Sequence, residues 1–332
     1  MSAASTASTL PPVTPICTLV KDTSYMLCEV TASGVVDLPS RGPGPVFVHA
    51  AGQPGAGDEG GAGGRAQTLI PGDFDDLFVY MTPEGPVHDR YAGGSATVVT
   101  TKPIEYTTVY DVVAIAAGGG AQGRELEWKD CTTAWPACID NPCGAGSGGA
   151  GGRVDAETEN SGASGPGTSA AAASGEYSTA GSSCHGEPIG HQPTPGHNGI
   201  GGIQTAGGDR DGANGIGGPG GSRNGGIQPW LDADGNPVAA DSCNCPAPTG
   251  YTAGAGGAWN GHDSAGGGGG NGGGGGGDKA FGGAGGGSAV AAPTGDTNEW
   301  TLQQPDPRDL VDLPDWNDPN TEHASVWFFY ET

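Results

Sequence analysis

Glycine limits what this chain can fold into more than any other residue, because it supplies 68 of the 332 positions. That share is about one in five, against a usual level near ~7%. The stretch 141–290 alone holds 49 of these glycines. Glycine has no side chain to bury, so such a stretch cannot build an ordinary apolar core. The composition argues against an ordinary helical enzyme and favours one small apolar core joined to a region held together differently.

Two familiar structures of glycine-rich chains fit this stretch poorly. Collagen also has one glycine in three residues, but it needs an unbroken Gly-X-Y repeat, and here the register fails within a few triplets. A flexible Gly/Ser linker is the second structure. A flexible linker does not need large apolar residues, yet this stretch contains several of them. They are Ile200, Ile203, Ile216, Ile227, Trp230, Tyr251, Trp259 and Phe281.

The third interpretation is an inserted bundle of polyglycine II helices. Such a helix has three residues per turn, rises ~3.1 Å per residue, and points its amide and carbonyl groups outward. Because glycine lacks a side chain, neighbouring helices can approach closely enough to hydrogen-bond backbone to backbone. The sequence therefore predicts a bundle over 141–290. Its structural glycines either keep a triplet spacing or begin a long glycine run, and they are Gly212, Gly215, Gly218, Gly221, Gly266 and Gly269.

The rest of the chain predicts short strands and essentially no helix. Segments rich in β-branched and aromatic residues are bounded by Gly, Pro or Asp, and no helical apolar period lasts more than a turn. We therefore predict an all-β core, a small sandwich built from both ends of the chain. The predicted strands are Ile16–Val20, Tyr25–Val30, Val35–Leu38, Val46–His49, Leu77–Met81, Ala96–Thr101, Thr107–Ala116 and Ala324–Glu331.

Acidic residues outnumber basic ones by 37 to 12, which gives a net charge of −25. A surface of this charge repels phosphate backbones and anionic membranes, so we expect no nucleic-acid partner and no membrane insertion. The sequence contains no run of about 18 apolar residues. Nothing in it resembles a signal peptide, so we expect assembly in the cytoplasm. Strong acidity is common where salt is high, which favours a halophilic or marine source.

The eight cysteines allow two interpretations. Disulfides are the first, because loop-rich chains with little core gain most from cross-links. A structural zinc or other divalent metal is the second, although the chain has no CxxC pair. All eight cysteines, including Cys17 and Cys28, are candidates for disulfides. The candidates for either role are Cys131, Cys138, Cys143, Cys184, Cys243 and Cys245, with His185 as a further zinc ligand.

Other patterns with a chemical meaning have simpler explanations. The segment 232–236 (DADGN) begins like a calcium loop, but Cys243 stands where an EF-hand needs glutamate, so we expect a turn. No GKS or GKT follows a glycine run, so we expect no nucleotide site. His191 and His197 lie in polar, turn-rich surroundings typical of exposed histidines. An acidic stretch near the C-terminus is expected to be a solvated linker face, and it contains Asp306, Asp309, Asp312, Asp315 and Asp318.

No arrangement typical of catalysis, such as GxSxG or HExxH, occurs in the chain, so we expect no enzyme and no cofactor. Aromatic residues interrupt the glycine-rich region. Presented by a rigid scaffold, they suit contacts with carbohydrate or protein, whereas packing against the flanks of the bundle is the alternative. The candidate receptor contacts are Trp128, Trp135, Tyr177, Trp230, Tyr251 and Trp259.

The order of several segments resembles the glycine-rich domain family. VFVHAAGQPGAG is followed by GGAGGRAQTLIPGDFDDLFVYMTPEG, YAGGSATVVT and YDVVAIAAGGGAQG, and later by GIGGIQTAGG, GIGGPGGS and AGGGGGNGGGGGGDKAFGGAGGGS. The family includes the glycine-rich domain of anaplastic lymphoma kinase and leukocyte tyrosine kinase, and phage and viral tail-fibre or spike proteins. The resemblance implies a jelly-roll-like β-sandwich from which a polyglycine II bundle projects. The chain carries no kinase, so receptor signalling is not implied, and its cysteine-rich insertions at 131–143 and 240–245 depart from the pattern.

With this resemblance the chain divides into four regions. We predict an N-terminal attachment arm (1–45), a β-sandwich core with the first glycine loops (46–140), the polyglycine II bundle (141–290), and an acidic segment with a closing strand (291–332).

The expected function is that of a virion surface protein, a tail-fibre or spike adhesin that recognises a glycan or protein of the host envelope. One alternative is a capsid decoration or head-fibre protein with a purely structural role, and another is an extracellular glycine-rich surface or matrix protein. We expect residues 1–45 to bind other virion proteins or further copies of the chain, because their short strands can add to another sheet edge. Because fibres usually form closed symmetric assemblies, we also expect a homo-oligomer, a trimer.

Overall fold

The fold contains two β-sheets, which we describe from a computed structural model of the chain. The structure describes residues 10–70, 72, 74–81, 93–103, 111–123, 147–155, 172–173, 177, 283, 285–290 and 324–332. Within these ranges the chain is strand-rich and has essentially no helix, so the predicted all-β class is confirmed. None of the described segments is a helix long and apolar enough to cross a membrane.

Each of the eight predicted strands overlaps a strand of the described residues, although 107–110 of the predicted strand Thr107–Ala116 lie outside them, and five further described strands were not predicted. In chain order the strands are β1 (Pro12–Val13), β2 (Ile16–Leu19), β3 (Tyr25–Val30), β4 (Gly34–Val36), β5 (Val46–Ala51), β6 (Arg65–Ile70), β7 (Leu77–Tyr80), β8 (Thr97–Thr100), β9 (Val112–Ala116), β10 (Arg153–Asp155), β11 (Ala172–Ala173), β12 (Ser288–Val290) and β13 (Ser325–Glu331).

The larger sheet has seven strands in the order β1-β4-β7-β8-β9-β12-β11. Its strands pair antiparallel, except for β1, which runs parallel to β4. Every residue of β8 and β9 is buried, so both faces of the sheet are covered at its centre. This explains why β9, VVAIA, reads as a continuous apolar run in the sequence.

The smaller sheet has six strands in the order β10-β6-β5-β13-β3-β2. The C-terminal strand β13 lies between β5 and β3 and runs antiparallel to both, so that Val326 faces Ala50 on one side and Val30 on the other. Both ends of the chain therefore meet in one sheet, as the sequence predicted.

The N-terminal segment is built into the folded body. Strands β2 and β3 belong to the smaller sheet, and β1 and β4 belong to the larger one. Cys28, Val30 and Val36 lie in the core. A disulfide joins Cys17 to Cys28, which are paired residues of β2 and β3. The described residues 10–45 therefore do not form an arm outside the fold, and their attachment role stays a prediction.

One apolar core takes side chains from both sheets. Alternate residues of β13 point into it, and Phe328 and Tyr330 are among the largest fully buried side chains. The Tyr330 hydroxyl donates to the Pro39 carbonyl over 2.9 Å and lies 3.3 Å from Cys28 Sγ. Burial raises the pKa of Tyr330 to about 12, so this phenol keeps its proton in neutral solution.

Candidate functional site

Six glycine-rich segments extend from the strands of both sheets, and we call them together the glycine bundle. Three of them continue the smaller sheet: residues 52–56 follow β5, 60–64 precede β6, and 147–152 precede β10. The other three continue the larger sheet: residues 93–96 precede β8, 117–123 follow β9, and 283 with 285–287 precede β12. The two sheets thus supply equal numbers of segments to the bundle.

Residues 117–123 form the centre of the bundle and are hydrogen-bonded to each of the other five segments. A strand in a sheet has at most two bonded neighbours, so five neighbours require bonds that leave the backbone in several directions. Five backbone hydrogen bonds, one to each neighbouring segment, demonstrate this arrangement. They are Gly119 N to Gln53 O (3.0 Å), Gly61 N to Gly120 O (2.8 Å), Gly94 N to Gly119 O (2.8 Å), Gly120 N to Gly149 O (2.8 Å) and Gly286 N to Gly118 O (3.0 Å).

Successive bonds to the same neighbour recur every three residues. Gly119 and Gln122 donate to Gln53 and Ala56, while Gly149 and Gly152 donate to Gly283 and Gly286. Neighbouring chains of polyglycine II type have this period, because the helix repeats every three residues. In an antiparallel sheet the bonded pairs alternate with a period of two.

Close backbone approach explains why glycine is required at the centre. A Cβ built on Gly118 or on Gly119 falls well inside 3.0 Å of a neighbouring carbonyl oxygen, a separation that real Cβ atoms essentially never show. The obstructing oxygens belong to Gly94 and Gly61, and a backbone oxygen cannot rotate away as a side chain can. A single methyl group at either position would separate two segments.

A short repeat marks three of the six segments. GGAGG occurs at 60–64, 148–152 and 282–286, and each copy lies just before a strand, β6, β10 or β12. The first two copies are followed by Arg65 and Arg153, which are paired residues of the parallel strands β6 and β10. The repeat is therefore the sequence signal for bundle segments that counting glycines over long stretches does not identify.

Buried hydroxyl groups join the two sheets where the bundle begins. The Ser288 hydroxyl donates to the Gly152 carbonyl over 2.6 Å and accepts from the Ala117 amide over 2.9 Å. The Thr97 hydroxyl donates to the Ala51 carbonyl over 2.7 Å. These bonds give partners to backbone groups that would otherwise be buried without one, at the boundary between the β-sheets and the glycine bundle.

The opposite end of the bundle is a polar tip. Residues 52–56 and 60–64 are joined there by a turn that contains Gly57, whose φ of 98° favours glycine. Glu59 in this turn accepts a hydrogen bond from the Ser147 hydroxyl (3.2 Å), and its amide donates to the Gln122 side chain (3.4 Å). The described residues stop just after Gln122 and resume at Ser147. The described residues on either side of 124–146, a range that includes Trp128 and Trp135, therefore lie at the tip.

The polar side chains of His49, Arg65 and Gln67 are buried on the smaller sheet, on the face opposite the core. His49 is 2% exposed, and its Nδ1 lies 3.4 Å from Gln67 Nε2. Burial, and to a lesser extent the positive charge of Arg65, lowers the pKa of His49 to about 3. His49 is therefore neutral in the folded protein at physiological pH.

This buried histidine predicts a loss of stability in mild acid. The unfolded chain takes up a proton near pH 6.5, whereas folded His49 does so only near pH 3, so stability falls as the pH drops below 6.5. Between pH 7.5 and pH 5.5, a range that lies above the titration of carboxylates, the free energy of unfolding is expected to fall by about 1.4 kcal/mol. Urea unfolding at both pH values measures it, and His49→Gln should remove most of the difference. An equal loss in the variant would contradict this assignment.

Of the candidate receptor contacts, Tyr177 lies among the described residues and is 58% exposed. The described residues contain no group of three or more His, Cys, Asp and Glu that could hold a metal ion. The other sequence-predicted positions fall outside the described residues and stay predictions: the five tryptophan and tyrosine candidates, the six triplet or run glycines, the six cysteines from Cys131 to Cys245, His185, His191, His197 and the acidic stretch from Asp306 to Asp318.

Comparison of the chain with protein-family models, with curated proteins and with solved structures finds no match.

Proposed function

We propose that the glycine bundle is packed as polyglycine II helices projecting from a jelly-roll-like β-sandwich. The three-residue period and the five bonded neighbours of residues 117–123 support the polyglycine II packing. The apolar core shared by both sheets supports the sandwich. Such a bundle is stiff, because its segments are cross-linked by buried peptide hydrogen bonds and by the hydroxyl contacts of Ser288 and Thr97.

This scaffold serves to display a binding loop, and the protein is a virion surface adhesin of the tail-fibre or spike type. The observation that carries the display role is the position of Gln122 and Ser147, which both contact Glu59 at the tip. The described residues that flank 124–146 thus lie close together, and this segment of more than twenty residues is the proposed binding loop. The virion setting, the host glycan or protein as receptor, and attachment through residues 1–45 come from the sequence resemblance. The protein acts without catalysis or cofactor.

A capsid decoration or head-fibre protein is the competing proposal, and a glycine-rich extracellular surface or matrix protein is the third. Both would use the same stiff bundle without recognising a receptor. Binding therefore separates them from an adhesin. The matrix role would instead require self-assembly into extended fibres.

The test compares the intact protein with a variant in which residues 124–146 are replaced by a short Gly-Ser linker. Because Gln122 and Ser147, which flank this segment, both contact Glu59, the linker can close the gap without moving the bundle. Fluorescently labelled protein is applied to arrays of bacterial and archaeal surface polysaccharides and to cells from marine and hypersaline samples.

We expect the intact protein to bind a subset of these targets, and the variant to bind at least about tenfold more weakly with an unchanged melting temperature. Absence of binding by the intact protein across all targets would favour the decoration role. Binding that survives in the variant would place the receptor contact outside 124–146.

A further inference from the structure

The outermost strand of the smaller sheet, β2, is an unprotected edge. It is last in the strand order, so among the described residues β3 is its only neighbour. Ile16 and Leu19 are 69% and 55% exposed, and Ile16–Leu19 contains no charged residue. Sheet edges are normally blunted by charges, prolines or very short strands. The corresponding edge of the larger sheet is blunted in this way, since β1 has two residues and begins with Pro12.

The backbone groups on the open side of β2 can be identified from its pairing with β3. The Cα atoms of Cys17 and Cys28 are 4.0 Å apart, a spacing typical of a non-hydrogen-bonded pair. Val20 N donates to Tyr25 O over 2.8 Å. Because the two kinds of pair alternate, Ile16, Thr18 and Val20 direct their backbone groups to β3. The amides and carbonyls of Cys17 and Leu19 therefore face the open side.

We propose that a second copy of this chain pairs antiparallel with β2 through β2 of its own, about a two-fold axis at Thr18. Cys17 of each copy then exchanges both backbone hydrogen bonds with Leu19 of the other. Thr18 of one copy faces Thr18 of the other, a favourable cross-strand pair. The two six-stranded sheets become one continuous sheet, and Ile16 and Leu19 each gain a cross-strand neighbour that covers part of their exposed surface.

The sequence of the edge disfavours one alternative register. An axis at Cys17 would place Leu19 opposite Pro15 of the second copy, and proline has no amide to donate. With the axis at Thr18, Pro15 lies opposite Lys21, outside β2, so the amides of both bonded residues inside the strand are present. A self-complementary contact of this kind closes at two copies, because a two-fold axis uses the same surface on both partners.

A second copy fits this edge better than a strand of a charged partner. With a net charge of −25, two copies repel each other, but the contact itself lies on an uncharged strand. Screening of the repulsion at high salt should then strengthen the pairing. The disulfide to Cys28 holds β2 on its sheet, so the edge stays in place when the second copy leaves. This inference does not depend on the adhesin proposal.

Sedimentation velocity of the intact chain over a range of micromolar concentrations tests the pairing. We expect a monomer–dimer equilibrium that shifts to dimer in molar salt. Leu19→Pro removes one outward amide without touching the ladder to β3, and Ile16→Lys adds a charge to the edge; each should weaken the dimer at least about tenfold. Tyr177→Lys changes the other large exposed hydrophobic residue among the described residues and is the matched control, expected to dimerise normally.

Hydrogen exchange adds a readout specific to the register. The amides of Cys17 and Leu19 should become more protected as the concentration rises, while that of Thr18, already bonded to β3, should not change. A monomer at every concentration and salt level would overturn the proposal. So would a dimer or trimer that both β2 variants leave intact, or concentration-dependent protection of Thr18 in place of Cys17 and Leu19.

Discussion

Gly119→Ala is expected to lower the free energy of unfolding by at least ~3 kcal/mol, although it adds a single methyl group. The added Cβ would collide with the carbonyl oxygen of Gly61. Relief requires residues 60–64 to move away, and this would stretch the bond from Gly61 N to Gly120 O. Moving one segment disturbs its neighbours, because residues 117–123 are bonded to all the others. Urea unfolding of the variant measures the loss.

Gly44→Ala is the matched control for this substitution. No atom lies within 4 Å of a Cβ built on Gly44, and its backbone does not have the positive φ that favours glycine. We therefore expect a change within about 0.5 kcal/mol, with a small gain from the stiffer unfolded chain. Equal effects of the two substitutions would show that residues 117–123 are not closely packed.

Deletion of residues 1–40 is expected to abolish the fold. The resemblance, which makes these residues an arm, implies that the deletion leaves a folded protein, but it removes β3 from beside β13 and β4 from beside β7. Burial of Val30, Val36 and Leu38 alone contributes about 5–9 kcal/mol. That is comparable with the entire stability of a typical domain, about 5–15 kcal/mol.

The measurement is the near-ultraviolet circular dichroism and the solubility of the truncated protein. Deletion of residues 1–9 is the control, because it leaves every described strand in place, and it should retain a native spectrum. A soluble, native-like protein without residues 1–40 would mean that β3 and β4 are dispensable.

The strands were predictable from the sequence where β-branched or aromatic residues are concentrated. β8 has two β-branched apolar residues between threonines, β9 reads as a continuous apolar run, and β13 carries the densest aromatic segment of the chain. β6 was missed because its sequence, RAQTLI, alternates polar and apolar residues weakly. Arg65 and Gln67 are buried in spite of their polarity, and no local signal indicates this.

The sequence predicted that glycine-rich segments hydrogen-bond backbone to backbone, but it did not predict where the described segments of the glycine bundle lie. A high glycine content and triplet spacing drew attention to 141–290, whereas the described segments also include 52–56, 60–64, 93–96 and 117–123. These are short and lie between strands, so their composition alone suggested loops. Which glycine approaches which carbonyl depends on how two sheets align six segments from distant regions of the chain. No spacing within one segment contains that information.

Hydrogen exchange of the intact protein with isotope-labelled glycine tests the central claim, that the bundle is held by buried peptide hydrogen bonds. The decisive amides are those of Gly61, Gly119, Gly120, Gly149 and Gly286, each bonded to another segment. We predict that they exchange as slowly as amides at the centre of the sheets, because opening any one of them requires separating several segments. Exchange at the rate of an unstructured peptide, within seconds, would contradict the account.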